Sequence, residues 1–324
     1  MFRRRVRRKL KIYRSWYREK LVAPETLNLD NKDTLNFLND VRKNADDPKC
    51  SLYVDFKGIK NITPSCALVF TSELDRMSRI RGKRNRLKVV DFDKWDTAIK
   101  FLLRDMGMFD LLNIPNIPPE FAVIENTSDI RFFKFIAGDS ISGDQSANFR
   151  DVIKQAISGV PNEKKLQIAI TEAMDNVFNH GYPDDFIETS KLKEKLWWLS
   201  ASFNNKTQTL NLMFFDQGIG IPKSLPRIHP GLFGKIVELF DTDDKIIEAA
   251  TKAGKSATGK KYRGKGFPQI IEYVSSYKKS GYIRITSGKG TYQIIKKVNE
   301  KAEKRSYINK NDIQGTLLEW QLEL

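Results

Sequence analysis

Leu166, Ile170, Ala173 and Val177 recur at spacings of three and four, the period of one apolar stripe on a helix. Glu172, Asn176 and Asn179 fall on a separate face of the same helix, so it can pack against a core and still present a polar row. Pro161 stands at its opening, where a missing N–H does no harm. Residues 149–158 predict a helix just before it, residues 209–215 a strand that delivers Asp216, residues 267–274 an apolar helix and residues 317–322 a last strand. The first third of the chain alternates in the same way: a strand over 51–56, a helix over 65–80 behind Pro64, a strand over 86–90 and a helix over 95–112. The proline-rich stretch 113–119 interrupts this pattern and predicts a boundary, with a short strand near 121–124 that either side could own. The pattern therefore predicts an α/β chain of two domains, residues 21–118 and 119–324, behind a leader of residues 1–20.

The leader changes the picture through its charge. It holds ten Lys and Arg residues against one acid, Glu19, and so more than half of the chain's net charge of +16. Phe2, Val6, Leu10, Tyr13, Trp16 and Tyr17 are interleaved at helical spacings, which predicts a short amphipathic helix. Its basic face is either solvated while the helix packs on its own domain, or meets an anionic membrane, a nucleic acid or an acidic protein. No nucleic-acid-binding signature accompanies it. The two cysteines, Cys50 and Cys66, have no C-x-x-C spacing and point to neither a disulfide framework nor a zinc site. No apolar run approaches the roughly 18 residues of a membrane span, and no apolar core follows the N-terminal charges as in a signal peptide. A soluble, cytoplasmic protein is expected.

The polar row on the long helix carries chemistry of its own. Asn176 can offer its side-chain oxygen to Mg²⁺, and Glu172 can take a proton from a hydroxyl or a water; the bland alternative is a solvated helix face. At the end of the 209–215 strand, a buried Asp216 can accept a hydrogen bond from an adenine amine, and Gly218 and Gly220 let backbone approach the base. Gly264 and Gly266 precede a helix N-terminus, where N–H groups face phosphate oxygens, and Arg263 and Lys265 add positive charge. Gly315 and Thr316 lead into the last strand. The run Gly254-Lys255-Ser256 is not a P-loop, because no glycine stands at the required distance before it.

Taken in order, residues 171–180, 216–221, 263–267 and 315–316 resemble the N, G1, G2 and G3 boxes of the GHKL ATPases, over roughly residues 140–324. That resemblance implies a Bergerat fold, an α/β two-layer sandwich with a mixed sheet, with ATP and Mg²⁺ as cofactors and an ATP lid over residues 222–262. It implies that Glu172 is the catalytic base, that Asn176 holds Mg²⁺, and that Asp216, Gly218, Gly220, Arg263, Gly264, Lys265, Gly266 and Thr316 bind the nucleotide. Residues 170–183 are most similar to the anti-sigma-factor serine kinases of partner-switching systems. The only histidines are His180, inside the first box, and His229, in the lid, so an autophosphorylating histidine kinase is not expected. The G2 segment departs from many relatives by reading Gly-Lys-Gly-Phe-Pro.

Residues 54–65 resemble the strand, loop and helix start of a STAS domain, with Ser65 where such domains present a phosphorylatable serine. The alternative is that Ser65 merely helps to start its helix. Together the resemblances imply an ATP-binding regulatory protein with Mg²⁺-dependent ATPase or serine kinase activity, a protein partner and a homodimer as candidate assembly. The rival expectations are a conformational ATPase that drives dimerisation or partner binding without phosphotransfer, and an inactive nucleotide-sensing module.

Overall fold

The computed structural model describes residues 17–47, 49–82, 88–158, 160, 162–228, 242–253 and 266–324, apart from the side chains of Ala122 and Ala253. The chain opens with β1 (Tyr17–Val22), β2 (Thr26–Leu27), α1 (Lys32–Ala45), β3 (Cys50–Asp55), β4 (Asn61–Ile62) and α2 (Pro64–Arg81). β1 pairs in parallel with β3 and β2 with β4, which the α1 crossover permits. Residues 17–20 are thus strand, not the end of the helix expected for the leader; residues 1–16 lie outside the described residues. Pro64 sits in the first turn of α2, and the Thr63 side chain accepts from the Cys66 N–H. Thr63, rather than Ser65, therefore caps this helix.

Three short helices follow: α3 (Thr97–Asp105), α4 (Met108–Leu111) and α5 (Pro119–Val123). The single helix expected over 95–112 is broken because Gly107 adopts a left-handed conformation, φ 81°, between α3 and α4. The strand expected near 121–124 is α5, and Lys88–Val90 forms no strand; residues 83–87 lie outside the described residues.

Next come β5 (Ile130–Gly138), α6 (Gly143–Ala156), α7 (Glu163–Asn176), a π-helical turn (Val177–Gly181), α8 (Asp184–Thr189), β6 (Trp197–Asn204) and β7 (Thr209–Asp216). The chain closes with α9 (Ile221–Ile228), α10 (Asp243–Ala253), α11 (Gly266–Ser275), β8 (Gly281–Lys296) and β9 (Glu303–Glu323). The five strands form one sheet in the order β5-β6-β7-β9-β8. Each neighbouring pair is antiparallel, so the mixed sheet expected from the resemblance is not what forms. β6 runs into β7, and β8 into β9, through short turns, and such connections can join only antiparallel neighbours.

β6 shows that both faces of the sheet are covered. Trp197, Leu199, Ala201 and Phe203 enter one core with α6, α7 and α11, while Trp198 enters another with the N-terminal helices. Residues 197–203 are all buried, Ser200 and Ser202 included, so burial is continuous even where the sequence alternates from Leu199 onward. The sheet is covered on both faces: by α6, α7 and α11 on one, and by the N-terminal unit on the other. α2 lies within the second layer with every residue from Cys66 to Met77 buried, which explains its lack of a single apolar stripe.

The proline-rich break is not the end of the N-terminal unit. Phe121, beyond it, stacks on Phe101 at 5.2 Å and meets Phe92 edge-on at 5.1 Å. The same core continues into Trp198, Met213, Phe215 and Leu317 of the sheet, so the two predicted domains share one packed interface. Among the described residues, no helix is long and apolar enough to cross a membrane.

Candidate functional site

α7 is capped by Asn162, whose side chain accepts from the Lys165 N–H; Pro161, expected to open the helix, lies outside the described residues. Leu166, Ile170, Ala173 and Val177 are buried as the stripe predicts, joined by Ala169 and Met174. Glu172 and Asn176 are half-buried on the adjacent face, Asn179 is exposed, and α11 lies alongside, with Lys165 Nζ 2.7 Å from Glu272 Oε1. Burial, with a smaller contribution from Asp175, raises the Glu172 carboxyl above its ordinary range. The Asn176 side-chain nitrogen is buried without a hydrogen-bond partner. A buried amide left unpaired is costly, and it marks a place where a ligand can complete the hydrogen bonding.

The π turn delivers Gly181, and there the second segment docks. Ile219 N–H donates to Gly181 O at 2.8 Å, and a Cβ on Gly218 would overlap the Gly181 carbonyl. Gly218 is therefore glycine because two backbones meet there, not only to make room for a base. Tyr182 closes the joint from beneath: its hydroxyl donates to Leu196 O at 2.7 Å and accepts from Gln217 N–H at 2.9 Å.

Asp216, 5% exposed, ends β7 beside this joint. Its Oδ1 accepts from Gly218 N–H at 2.8 Å. Burial pushes the carboxyl up to about 7, and Gly218 and Thr316 offset part of that rise. Thr316 is its register partner on β9. Gly315, at φ 88°, packs its Cα against the Asp216 carbonyl, leaving no room for a side chain. The carboxylate is thus held at the sheet's end by backbone from two other segments.

Several residues of this site were not singled out from the sequence. Ser287 on β8 donates to Gly315 O at 2.8 Å, lies 3.2 Å from Thr316 Oγ1 and accepts from Ile221 N–H at 2.9 Å. The Gln314 amide donates to Gly218 O. A signal for Ser287 did exist: Gly288 and Gly290 inside a strand mark a bulge, and the β8–β9 register shifts between Ser287 and Gly290. Gln217 is the other omission. It is buried, and its Nε2 donates to Ser72 Oγ of α2 at 3.2 Å, so the loop that borders the site also touches the N-terminal unit.

The structure therefore brings together Asp216, Gly218, Gly220, Gly315 and Thr316 with the end of the helix that carries Glu172 and Asn176. Gly220, at φ 79°, approaches Gly315 and Ser287 closely. Gly266 is the first residue of α11; Arg263, Gly264, Lys265 and His229 lie outside the described residues. Of the expected lid, α9 and α10 are described. His180 is half-buried in the π turn.

Ser65 is elsewhere. It lies against Glu319 of β9, a carboxyl raised by burial and lowered in part by Arg284 and by the Ser65 hydroxyl. Glu319 shares the sheet face of Leu317, which enters the N-terminal core, whereas α7 covers the opposite face. The sheet stands between Ser65 and Glu172.

Among the described residues no cluster of three or more His, Cys, Asp or Glu could hold a metal by itself. The Asn176 atom without a partner is its amide nitrogen, a donor that suits a phosphate oxygen, and not the oxygen that a Mg²⁺ ion would take. Models of known protein families match nothing in this chain, and no curated protein matches it.

Proposed function

We propose that this chain is an ATP-binding regulatory protein of the GHKL type, with a nucleotide site at the junction of α7, β7 and β9. The observation that carries this reading is the convergence of a buried carboxylate, Asp216, with Thr316 and three close-packed glycines beside a helix end that bears an unpaired buried amide, Asn176. Asp216 would accept from the adenine amine, a contact that guanine cannot reproduce. Asn176, with the nucleotide phosphates, would hold Mg²⁺, which would neutralise phosphate charge. Glu172 has a raised carboxyl and lies one helical turn from Asn176, so it is the group able to take a proton from a hydroxyl or water.

Two fates of ATP are compatible with these roles. In the first, Glu172 activates a serine hydroxyl; the sheet between Glu172 and Ser65 supports a hydroxyl from a partner protein rather than Ser65 of the same chain. The second is a conformational ATPase, and the Gln217–Ser72 contact favours it by joining the site's border to α2. Calorimetry of the full chain with ATP and Mg²⁺ tests the site: saturable binding that GTP does not reproduce supports it, and no binding overturns it. Incubation with γ-labelled ATP then separates label on protein, free phosphate alone, and neither, which correspond to kinase, conformational ATPase and nucleotide sensor.

A further inference from the structure

We propose that the N-terminal unit contains a second binding site, for a small organic carboxylate with an apolar body. A cavity of about 500 Å³ opens between β3, the C-terminal half of α2 and the segment that runs from Lys88 to Trp95. That volume falls within the roughly 300–1,000 Å³ of small-molecule sites. Leu52, Leu74, Met77 and Trp95 give it apolar walls, Arg81 and Lys88 are its cations, and among the described residues no Asp or Glu lines it. Apolar walls with a few convergent polar groups of one sign suit an amphipathic anion.

Arg81 is the residue that gives the cavity its chemistry. Its Nη2 donates to the carbonyl oxygens of Asn44 at 3.1 Å and Asp47 at 3.4 Å, which fixes the guanidinium in place. Both of these acceptors are neutral carbonyls, and a charged acceptor that reached the guanidinium would bind it more strongly. The Asp47 carboxylate is already engaged by the Tyr17 hydroxyl at 3.0 Å and the Lys49 N–H at 2.9 Å. A carboxylate entering past the exposed Lys88 would supply the acceptor, and its hydrocarbon part would cover the walls. The site is separate from the nucleotide site, since it belongs to the unit on the opposite face of the sheet from α7.

The test is calorimetry on the full chain with octanoate and with its neutral counterpart octanamide. Octanoate should bind saturably and octanamide about tenfold or more weakly, because only the carboxylate gives Arg81 a charged acceptor. Leu52→Trp, which fills the cavity, should abolish octanoate binding. Lys88→Gln alters only the exposed rim and should weaken octanoate while leaving octanamide unchanged, so it decides the matter even if the filled variant does not fold. The proposal is overturned if octanoate gives no saturable heat, if octanamide binds as well as octanoate, or if either Lys88→Gln or folded Leu52→Trp binds octanoate like the unaltered chain.

Discussion

Asp216 on β7 and Thr316 on β9 stand directly opposite each other in the antiparallel register, and Gly315, beside Thr316, lies against the Asp216 backbone. This pairing connects two sequence segments whose only individual signals are a turn-like Asp-x-Gly and a Gly-Thr. It also explains how a carboxyl can be buried here: Gly218 N–H and Thr316 supply the hydrogen bonds that water would otherwise give.

The first prediction concerns Asp216 itself. Its folded-state pKa, about 7, lies above the roughly 3.9 of an unfolded aspartate. The folded chain therefore binds the extra proton between these values, and stability should fall as pH rises from about 4 to 7 and then level off. The loss attributable to this group is on the order of 4 kcal/mol. Asp216→Asn keeps an oxygen for Gly218 N–H but carries no charge, so urea unfolding at pH 8 should show the variant more stable than the unaltered chain. Calorimetry should show its adenine nucleotide binding lost. A variant that is less stable at pH 8 and still binds ATP would contradict both halves of the argument.

Glu172 predicts a pH profile. A base must be ionised to take a proton, so turnover should rise with pH through a pKa lifted above the usual glutamate range. Asp175 contributes to that lift, and Asp175→Asn should move the acidic limb to lower pH without changing the plateau greatly. Glu172→Gln should keep ATP affinity and reduce turnover about a hundredfold or more. Unchanged turnover in Glu172→Gln would remove the residue from the chemistry.

Much of this site is legible in the sequence because it is built from local signals. The stripe of Leu166, Ile170, Ala173 and Val177 is buried, and β7 ends at Asp216 where the alternation stops. What is not legible is anything set by the second layer on the sheet. The apolar residues of β6 and α2 predict burial, but periodicity alone does not say that they bury against each other. The left-handed turn at Gly107 escaped because Met106 and Met108 continue the apolar pattern on both sides. Ser287 and Gln217 act through contacts between distant segments, which one-dimensional spacing does not encode.

Glycine substitutions separate the close approaches from ordinary turns. At Gly218 a Cβ would collide with the Gly181 backbone, and at Gly315 it would collide with the Asp216 backbone at a positive φ. Backbone cannot rotate aside as a flexible side chain can. Gly218→Ala and Gly315→Ala should each cost on the order of 3 kcal/mol and abolish nucleotide binding. Gly143, the first residue of α6, has open space around it and no positive φ, so Gly143→Ala should stabilise by about 0.5 kcal/mol and leave binding intact. Urea midpoints and calorimetry on the three variants check the contrast.

The last prediction tests whether the N-terminal unit senses the site. Gln217 follows Asp216 directly, its backbone N–H is held by Tyr182, and its side chain ends on Ser72. The Gln217 Oε1 has no partner, so the side chain can change its contacts without breaking a second bond. Nearby, Trp198 Nε1 donates to Asp75 at 2.9 Å, Arg79 Nε contacts Asp75 at 3.1 Å, and Arg79 Nη1 reaches Glu194 at 2.8 Å, so α2 is tied to β6 independently of nucleotide. A double-mutant cycle with Gln217→Ala and Ser72→Ala should give a coupling of about 1 kcal/mol in the absence of nucleotide. Repeated with saturating ATP and Mg²⁺, the coupling should change by a comparable amount if the loop shifts on binding, while an Asp75→Asn and Trp198→Phe cycle stays constant. Linkage then requires that mutations at Ser72, remote from the nucleotide, alter ATP affinity by the same free energy. Equal couplings with and without nucleotide would leave the N-terminal unit as a passive cover for the sheet.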